Sequence, residues 1–235
     1  MKQHQLFFRQ MGYLIDRRVF SQEACRALSE EVRSNCATSI IGPQESARIE
    51  GVTENYNLRE WLGSQTFADC ATRLLGPNWN VILNRHNHIT IDYGGGLASG
   101  RSHRDSLQWT RSFLTAIIGL DMPESSQSWP VIVPGSHLWP VAARPNGGGY
   151  WLDEDDQRDM SDQEVLVRLG PGDVLFLDPM TFHRAGVGFK TQPRIVWTIA
   201  LRASDELSLY QPANELIVQG EHVYAGQDRW ERRDA

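Results

Sequence analysis

The sequence predicts a mainly β domain with flanking helices, a β-sandwich or jelly roll that follows an N-terminal helical segment. Three observations point there. The hydrophobic period changes from about 3.6 residues to 2 near residue 79. Short apolar strands separated by Gly and Pro turns then recur as far as residue 202. One of those strands has an unusually polar face, which suits the inside of a barrel that holds something charged. The chain's 235 residues are enough to bury a sizeable core. The expected organisation is one domain over 1–235, with helical support over 1–78, a jelly-roll core over 79–203 and a C-terminal extension over 204–235.

Each element has its own signal. Residues 3–11 read as a short helix stopped by Gly12, and Tyr13-Leu14-Ile15 as a short strand. Ser21 is a good N-cap, Glu23 suits a first turn, and Cys25, Leu28 and Val32 recur at helical spacing, so 22–34 reads as helix. Residues 37–57 carry little pattern and read as an irregular connection. Ser64 opens another helix with Phe67, Cys70, Leu74 and Leu75 on its buried face, ended by Gly76-Pro77. From Trp79 to Tyr93 the chain alternates as one long strand, with Ile82, Asn84, His86 and His88 on one face. Gly94-Gly95-Gly96 breaks that strand. Further strands are expected at 111–120, 130–133, 164–169, 173–178 and 194–202. The connection 137–162 contains Gly147-Gly148-Gly149 and an acidic run from Asp153 to Asp156, and has the length of a lid, a binding loop or a surface excursion.

Composition narrows the function classes. The hydrophobic share is 40%, the charged share 22% and the net charge −6. An acidic chain is a poor binder of phosphate backbones, so nucleic acid is not an expected partner. Three cysteines without a CxxC or zinc spacing read as reduced thiols. No stretch approaches the ~20 apolar residues of a membrane span, and the N-terminus has no signal-peptide core. The expected setting is the cytoplasm, without a membrane partner.

The chemistry concentrates in His103-Arg104-Asp105, His183 and Arg194. On extended chain, positions i and i+2 point to the same side, so His103 and Asp105 can converge on one ion. His183 follows a turn and a buried strand, where a ligand sits well. Two imidazoles and one carboxylate occupy one face of an octahedral metal and leave three positions open, the ligand set of non-heme Fe(II) oxygenases. Arg194 opens an otherwise apolar strand, where burial is costly without an anion. A guanidinium there can grip the carboxylate of a keto-acid cosubstrate in a bidentate fork.

These residues coincide with blocks of a known family. Phe8-Arg9-Gln10-Met11-Gly12-Tyr13 through Phe20-Ser21, Ser102-His103-Arg104-Asp105, Val131-Ile132-Val133-Pro134-Gly135-Ser136-His137, Leu169-Gly170-Pro171-Gly172-Asp173-Val174 and His183, with the eleven-residue step to Arg194, are similar to its motifs. The chain resembles the phytanoyl-CoA dioxygenase-like branch of Fe(II)/2-oxoglutarate dioxygenases over most of its length. The resemblance implies a double-stranded β-helix (a jelly-roll or cupin-like barrel). It implies Fe(II) held by His103, Asp105 and His183, 2-oxoglutarate anchored by Arg194, and O2 as oxidant. It also implies hydroxylation of a small molecule with release of succinate and CO2; desaturation, epoxidation or cyclisation are open to the same chemistry. The presence of Asp105 disfavours halogenation.

Two departures stand out. Gln127-Ser128-Trp129-Pro130 replaces the family's frequent Asn-Gly, and Ala185 stands where a small hydroxyl residue commonly helps hold 2-oxoglutarate. Asn84 and Thr115 are the candidates to replace that hydrogen bond. His86, His88, Arg104, Trp109 and Trp129 are candidate substrate contacts, and Trp139 is a further pocket candidate. A rival reading is a cupin-type isomerase or epimerase with metal on His86, His88 and His183. Another is a non-enzymatic binding jelly roll. The substrate is expected to be a free small molecule, such as a specialised metabolite or an amino-acid-derived compound. The oligomeric state is left open.

Overall fold

The computed structural model describes residues 2–36, 46–56, 58–92, 100–106, 113–123, 129–139, 151–152, 154–186, 193–204 and 215–220. Helix α1 (Lys2–Met11) stops at Gly12, whose φ of 75° suits glycine. Strand β1 (Tyr13–Asp16) follows, then α2 (Gln22–Cys36). Ser21 caps α2, its Oγ accepting the Ala24 N–H at 3.1 Å. Next come β2 (Ser46–Glu50), α3 (Val52–Asn55), α4 (Arg59–Leu62) and α5 (Gln65–Leu75). Ser64 stands at the N-cap of α5 but makes no capping hydrogen bond. The second half holds β3 (Trp79–Ile82), β4 (His88–Asp92), β5 (Phe113–Asp121), β6 (Pro130–Ile132), α6 (Glu154–Asp159), β7 (Val165–Leu166), β8 (Val174–Leu177), β9 (His183–Ala185), β10 (Arg194–Ala203) and β11 (Glu215–Gln219). No helix among the described residues is long and apolar enough to cross a membrane.

Two antiparallel sheets make the jelly roll. The larger runs β1-β8-β5-β10, and β10 then pairs with β4 along its first half and β3 along its second. Strands β2 and β11 extend it beyond β4 and β3. The smaller sheet is β7-β6-β9. Alternation along the large sheet separates its two faces. Ile89, Ile91, Ala116, Ile118, Ile195, Trp197 and Ile199 join Cys25, Leu28, Val32, Phe67 and Ala71 of α2 and α5 in the main core. Each such aliphatic or aromatic side chain contributes ~1.5–3 kcal/mol when fully buried. Cys25 and Cys70 are free thiols within that core. Burial, reinforced by Asp173 and Asp16 respectively, pushes them up to about 11 and about 12.

Several expectations need correction. The long strand over 79–93 is two strands on the same side of β10, interrupted by a turn in which His86 adopts a φ of 53°. A non-glycine residue in that region cannot continue a strand. The region 37–57 is not all irregular: β2 pairs with β4 and α3 follows it. Ser-Ala-Arg-Ile-Glu has almost no apolar pattern, so its pairing with β4 defines it, not its own hydrophobicity. The expected strand 164–169 shrinks to two residues. Residues beyond 203 are more than an extension, since β11 completes the sheet against β3. The glycine runs at 94–96 and 147–149 lie outside the described residues.

Candidate metal centre

A backbone bridge brings the two distant motifs together. The His103 N–H donates to His183 O at 2.8 Å, and the His183 N–H returns a bond to His103 O at 2.9 Å. The two imidazole rings then stand 4.5 Å apart. The Asp105 N–H donates to Pro179 O at 2.8 Å, and the Arg85 guanidinium donates to the Asp105 carbonyl. The carboxylate is thereby carried to the same place by main-chain bonds. Asp105 Oδ1 lies 3.9 Å from His103 Nε2 and 3.7 Å from His183 Nε2. One donor atom from each of the three residues falls within 4.8 Å of the others.

Local contacts prepare each donor. His183 Nδ1 sits 2.9 Å from Thr181 O. A carbonyl only accepts, so Nδ1 carries the proton and Nε2 keeps its lone pair. Thr115 Oγ1 donates to Asp105 Oδ2 at 2.6 Å, and His86 Nε2 lies 3.3 Å from Oδ1. Burial alone would raise the Asp105 pKa. His183, His86 and the Thr115 hydroxyl outweigh it and hold the carboxyl well below the usual carboxylate range. Burial and the neighbouring His183 push the His103 imidazole down to about 4, against the pull of Asp105. The site thus presents a buried carboxylate beside an imidazole held neutral at physiological pH.

The Pro134-Gly135-Ser136-His137 turn ties these pieces to the N-terminus. Ser136 Oγ accepts the Phe182 N–H at 2.8 Å, next to His183, and Ser136 O accepts from Arg104 at 2.8 Å. The Gly135 N–H donates to Met11 O at 2.9 Å, and His137 Nε2 meets Arg9 O at 3.0 Å. On the other side, Thr181 Oγ1 and the Asp178 N–H both donate to Gly12 O at 2.9 Å. The end of α1 therefore braces the turn from which His183 emerges.

The centre opens into a cavity of about 270 Å³ between the sheets. The inner faces of β4, β5 and β10 line it with His88, Thr90, Asp92, Thr115, Ile117, Arg194, Val196 and Thr198. Arg194 is buried, and its Nε donates to Asp92 Oδ2 at 2.9 Å. A cavity with two imidazoles, a carboxylate and a buried guanidinium on its walls has a matching family. The phytanoyl-CoA dioxygenase (PhyH) family model covers residues 8–194.

The chain belongs to the phytanoyl-CoA dioxygenase family.

The family's members are non-heme, 2-oxoglutarate-dependent dioxygenases, and this protein is an enzyme of that class, using Fe(II), 2-oxoglutarate and O2. No curated protein is significantly similar to it in sequence. Among solved structures, it is similar in fold to the α-ketoglutarate-dependent carbocyclase SnoK from nogalamycin biosynthesis. The TM-score is 0.66 at 22% identity, covering 87% of this chain and 85% of that one. The epimerase SnoN, in complex with Fe3+, α-ketoglutarate and nogalamycin RO, gives a TM-score of 0.68 at 18% identity, covering 94% and 96%. HygX from Streptomyces hygroscopicus, with nickel and 2-oxoglutarate bound, gives 0.65 at 12% identity, covering 86% and 87%.

Within this phytanoyl-CoA dioxygenase family member, several predicted contacts lie elsewhere. Asn84 is exposed in the turn between β3 and β4 and does not line the cavity. Thr115 does line it, with its hydroxyl proton engaged by Asp105. Arg104 points away: the alternation that aims His103 and Asp105 inward turns it outward, over the Phe182 ring at 4.1 Å and onto Ser136. Trp129 packs on the cluster around Met122 and Leu169, and Trp139 stacks near Phe182. Trp109 lies outside the described residues. His86 and His88 both face the cavity. Sequence reasoning missed Arg48, Val196 and Thr198. The last two follow Arg194 at steps of two and were findable by strand period, whereas Arg48 lies on β2, which has no hydrophobic signal.

His88 sets a pH response. Burial pushes its imidazole down to about 3, with Arg48 and His86 acting the same way and Asp105 opposing. The unfolded chain, with a His pKa of ~6.5, therefore binds this proton more readily than the folded one. The stability contribution is full above about 6.5 and drains away as pH falls towards about 3. The metal-free enzyme is expected to lose thermal stability through that window, and His88→Gln should flatten the curve. Melting temperatures that stay level from neutral pH into that acid range would contradict a buried neutral imidazole.

Proposed function

We propose that this enzyme hydroxylates a small-molecule metabolite, with His103, Asp105 and His183 holding Fe(II) and Arg194 anchoring 2-oxoglutarate. One observation carries the assignment: two imidazoles and an ionised carboxylate converge on a cavity whose wall includes a buried guanidinium. The donor set suits ferrous iron, since imidazole nitrogen and carboxylate oxygen leave open positions on one face. When bound, iron with 2-oxoglutarate and O2 supplies an oxidant able to hydroxylate an unactivated C–H, releasing succinate and CO2. The chain's own residues do the rest. Thr181 O fixes the His183 tautomer, and Thr115 orients Asp105 through Oδ2, leaving Oδ1 towards the Nε2 atoms of His86, His103 and His183. Asp92 steadies Arg194 through Nε. Thr198, on the same face of β10 as Arg194, offers the hydroxyl that Ala185 lacks. Ile117 and Val196 give the cavity apolar walls that limit water.

The rival metal site of His86, His88 and His183 has less support. Among the described residues the converging group is His103, Asp105 and His183, and the rival set contains no carboxylate. The neighbouring carbocyclase and epimerase come from nogalamycin biosynthesis, which favours a specialised metabolite as substrate class here. Hydroxylation is tested by supplying isotopically labelled O2. One labelled oxygen in the product, with stoichiometric succinate, is expected; succinate with an unlabelled, dehydrogenated or cyclised product would replace hydroxylation by one of those outcomes.

Arg194→Ala gives a second test. Removing one partner of a buried charge-assisted contact costs ~2–5 kcal/mol, so the 2-oxoglutarate concentration for half-saturation should rise about 30-fold or more. Fe(II) affinity should change little, because Arg194 is no part of the ligand set. Anaerobic titration of the visible charge-transfer band reads both. An unchanged 2-oxoglutarate requirement would remove Arg194 from the role.

A further inference from the structure

The wall formed by β2 and β4 carries a second polar group of residues. Cross-strand register sets Arg48 beside Thr90 and Glu50 beside His88. Arg48, His88 and Thr90 all line the same cavity as the metal centre. His88 is 6% exposed, and its Nδ1 is sealed from solvent with no hydrogen-bond partner. Leaving such a nitrogen unpaired costs ~1–3 kcal/mol. No partner among the described residues offsets that cost; the ring itself lines the cavity, so a ligand bound beside β4 lies against it.

Arg48 supplies charge at the mouth. Among the described residues three guanidinium groups line this cavity, and each has a carboxylate partner of different quality. Arg194 pairs with Asp92, whose side chain is 4% exposed, and Arg184 with Glu164, at 13%. Arg48 pairs through Nε with Glu50 at 2.5 Å, and these side chains are 53% and 63% exposed. An exposed pair is worth little, so Arg48 is the guanidinium that exchanges its partner for an incoming anion at the smallest cost. Asp92 serves Arg194 and Asp105 faces the imidazoles, so the carboxylate that an incoming anion displaces from Arg48 is Glu50, cross-strand from His88.

We propose that Arg48, with His88 and Thr90 deeper along β4, forms a subsite for a carboxylate of the primary substrate, so that this enzyme acts on a small organic acid. The subsite is distinct from the Arg194 anchor: Arg194 pairs with Asp92, whereas Arg48 lies across from Thr90, two residues earlier on the same face of β4. The proposal rests on the oxygenase reading above, because it places the acid next to iron and cosubstrate.

The test uses full-length protein loaded with nickel and 2-oxoglutarate, which binds without turnover, and benzoate with benzamide as the matched probes, followed by calorimetry. Benzoate should bind at least about tenfold tighter than benzamide, a difference of ~1.4 kcal/mol. Arg48→Ala should remove that preference, Arg48→Lys should keep part of it, and His88→Phe should weaken benzoate while preserving ring volume. Nickel and 2-oxoglutarate affinities should be unchanged in Arg48→Ala. Equal binding of the two probes, or no benzoate binding, overturns the subsite alone. A raised 2-oxoglutarate requirement in Arg48→Ala also overturns it, by assigning Arg48 to the cosubstrate. Wild-type protein that takes up neither nickel nor 2-oxoglutarate overturns the oxygenase reading and the subsite together.

Discussion

Asp105→Ala is expected to eliminate measurable Fe(II) binding while leaving a folded protein. The expectation has two parts. The backbone at residue 105 is held without its side chain, by Pro179 O on the N–H and the Arg85 guanidinium on the carbonyl. Its neighbours should therefore stay in place. The carboxylate, however, is the anion that, among the described residues, faces His103, His183 and His86. Loss of an outer-shell partner of a metal ligand costs ~10–100-fold in affinity, so loss of the ligand itself should exceed the upper figure. Asp105→Asn separates charge from shape: its amide oxygen still accepts from Thr115, yet iron binding should remain lost. His183→Ala should behave like Asp105→Ala, since Nε2 of that ring is the donor freed by the Thr181 contact. Anaerobic Fe(II) titration in the presence of 2-oxoglutarate, beside a thermal melt, reads affinity and folding separately. Wild-type iron affinity in His183→Ala would refute the triad outright.

The parts of this fold legible in the sequence are those governed by local periodicity. The apolar run over 194–202 read correctly as a strand, and one of its faces carries Ile195, Trp197 and Ile199 into the core. The i, i+2 rule anticipated that His103 and Asp105 share a side, and the same rule, applied to Arg104, would have excluded it from the cavity. Other features were illegible because they depend on partners distant in sequence. Strand β2 exists through its pairing with β4. Continuous alternation across 79–93 concealed the turn at His86, whose φ of 53° has no compositional signal such as glycine. Thr115 was readable as an inward residue of a strand, but its partner Asp105 lies ten residues back across a segment the pattern does not describe. The Pro134-Gly135-Ser136-His137 turn was readable as a motif. Its physical role is that it bonds at once to α1, Arg104 and Phe182, which only the assembled chain displays.

Gly12→Ala should cost stability through both backbone and packing and should also weaken iron binding. Gly12 has a φ of 75°, and a Cβ there would lie 2.3 Å from Thr181 Oγ1 and 2.5 Å from His137 Nδ1. The left-handed backbone alone costs Ala ~1–2 kcal/mol, and forcing atoms into a filled site adds ~1–3 kcal/mol. Gly76 is the control, with a φ of 95° and no atom within 4 Å of the place a methyl would take. Gly76→Ala should show a backbone cost without a collision, and with a ψ of −176° that cost is at least as large as at Gly12. At ~2–4 °C per kcal/mol for a chain of this size, the collision at Gly12 should add several degrees of melting loss to the backbone cost. The collision has no simple relief. Thr181 Oγ1 is bonded to Gly12 O at 2.9 Å, and Thr181 O holds His183 Nδ1 at 2.9 Å. A methyl at residue 12 therefore displaces the group that fixes the His183 tautomer. Gly12→Ala should lower Fe(II) affinity in the folded protein, whereas Gly76→Ala should not. A Gly12→Ala melting loss no larger than the ~1–2 kcal/mol backbone cost would remove the packing argument, and unaltered iron affinity in a destabilised Gly12→Ala protein would show that the brace from α1 supports the fold without positioning His183.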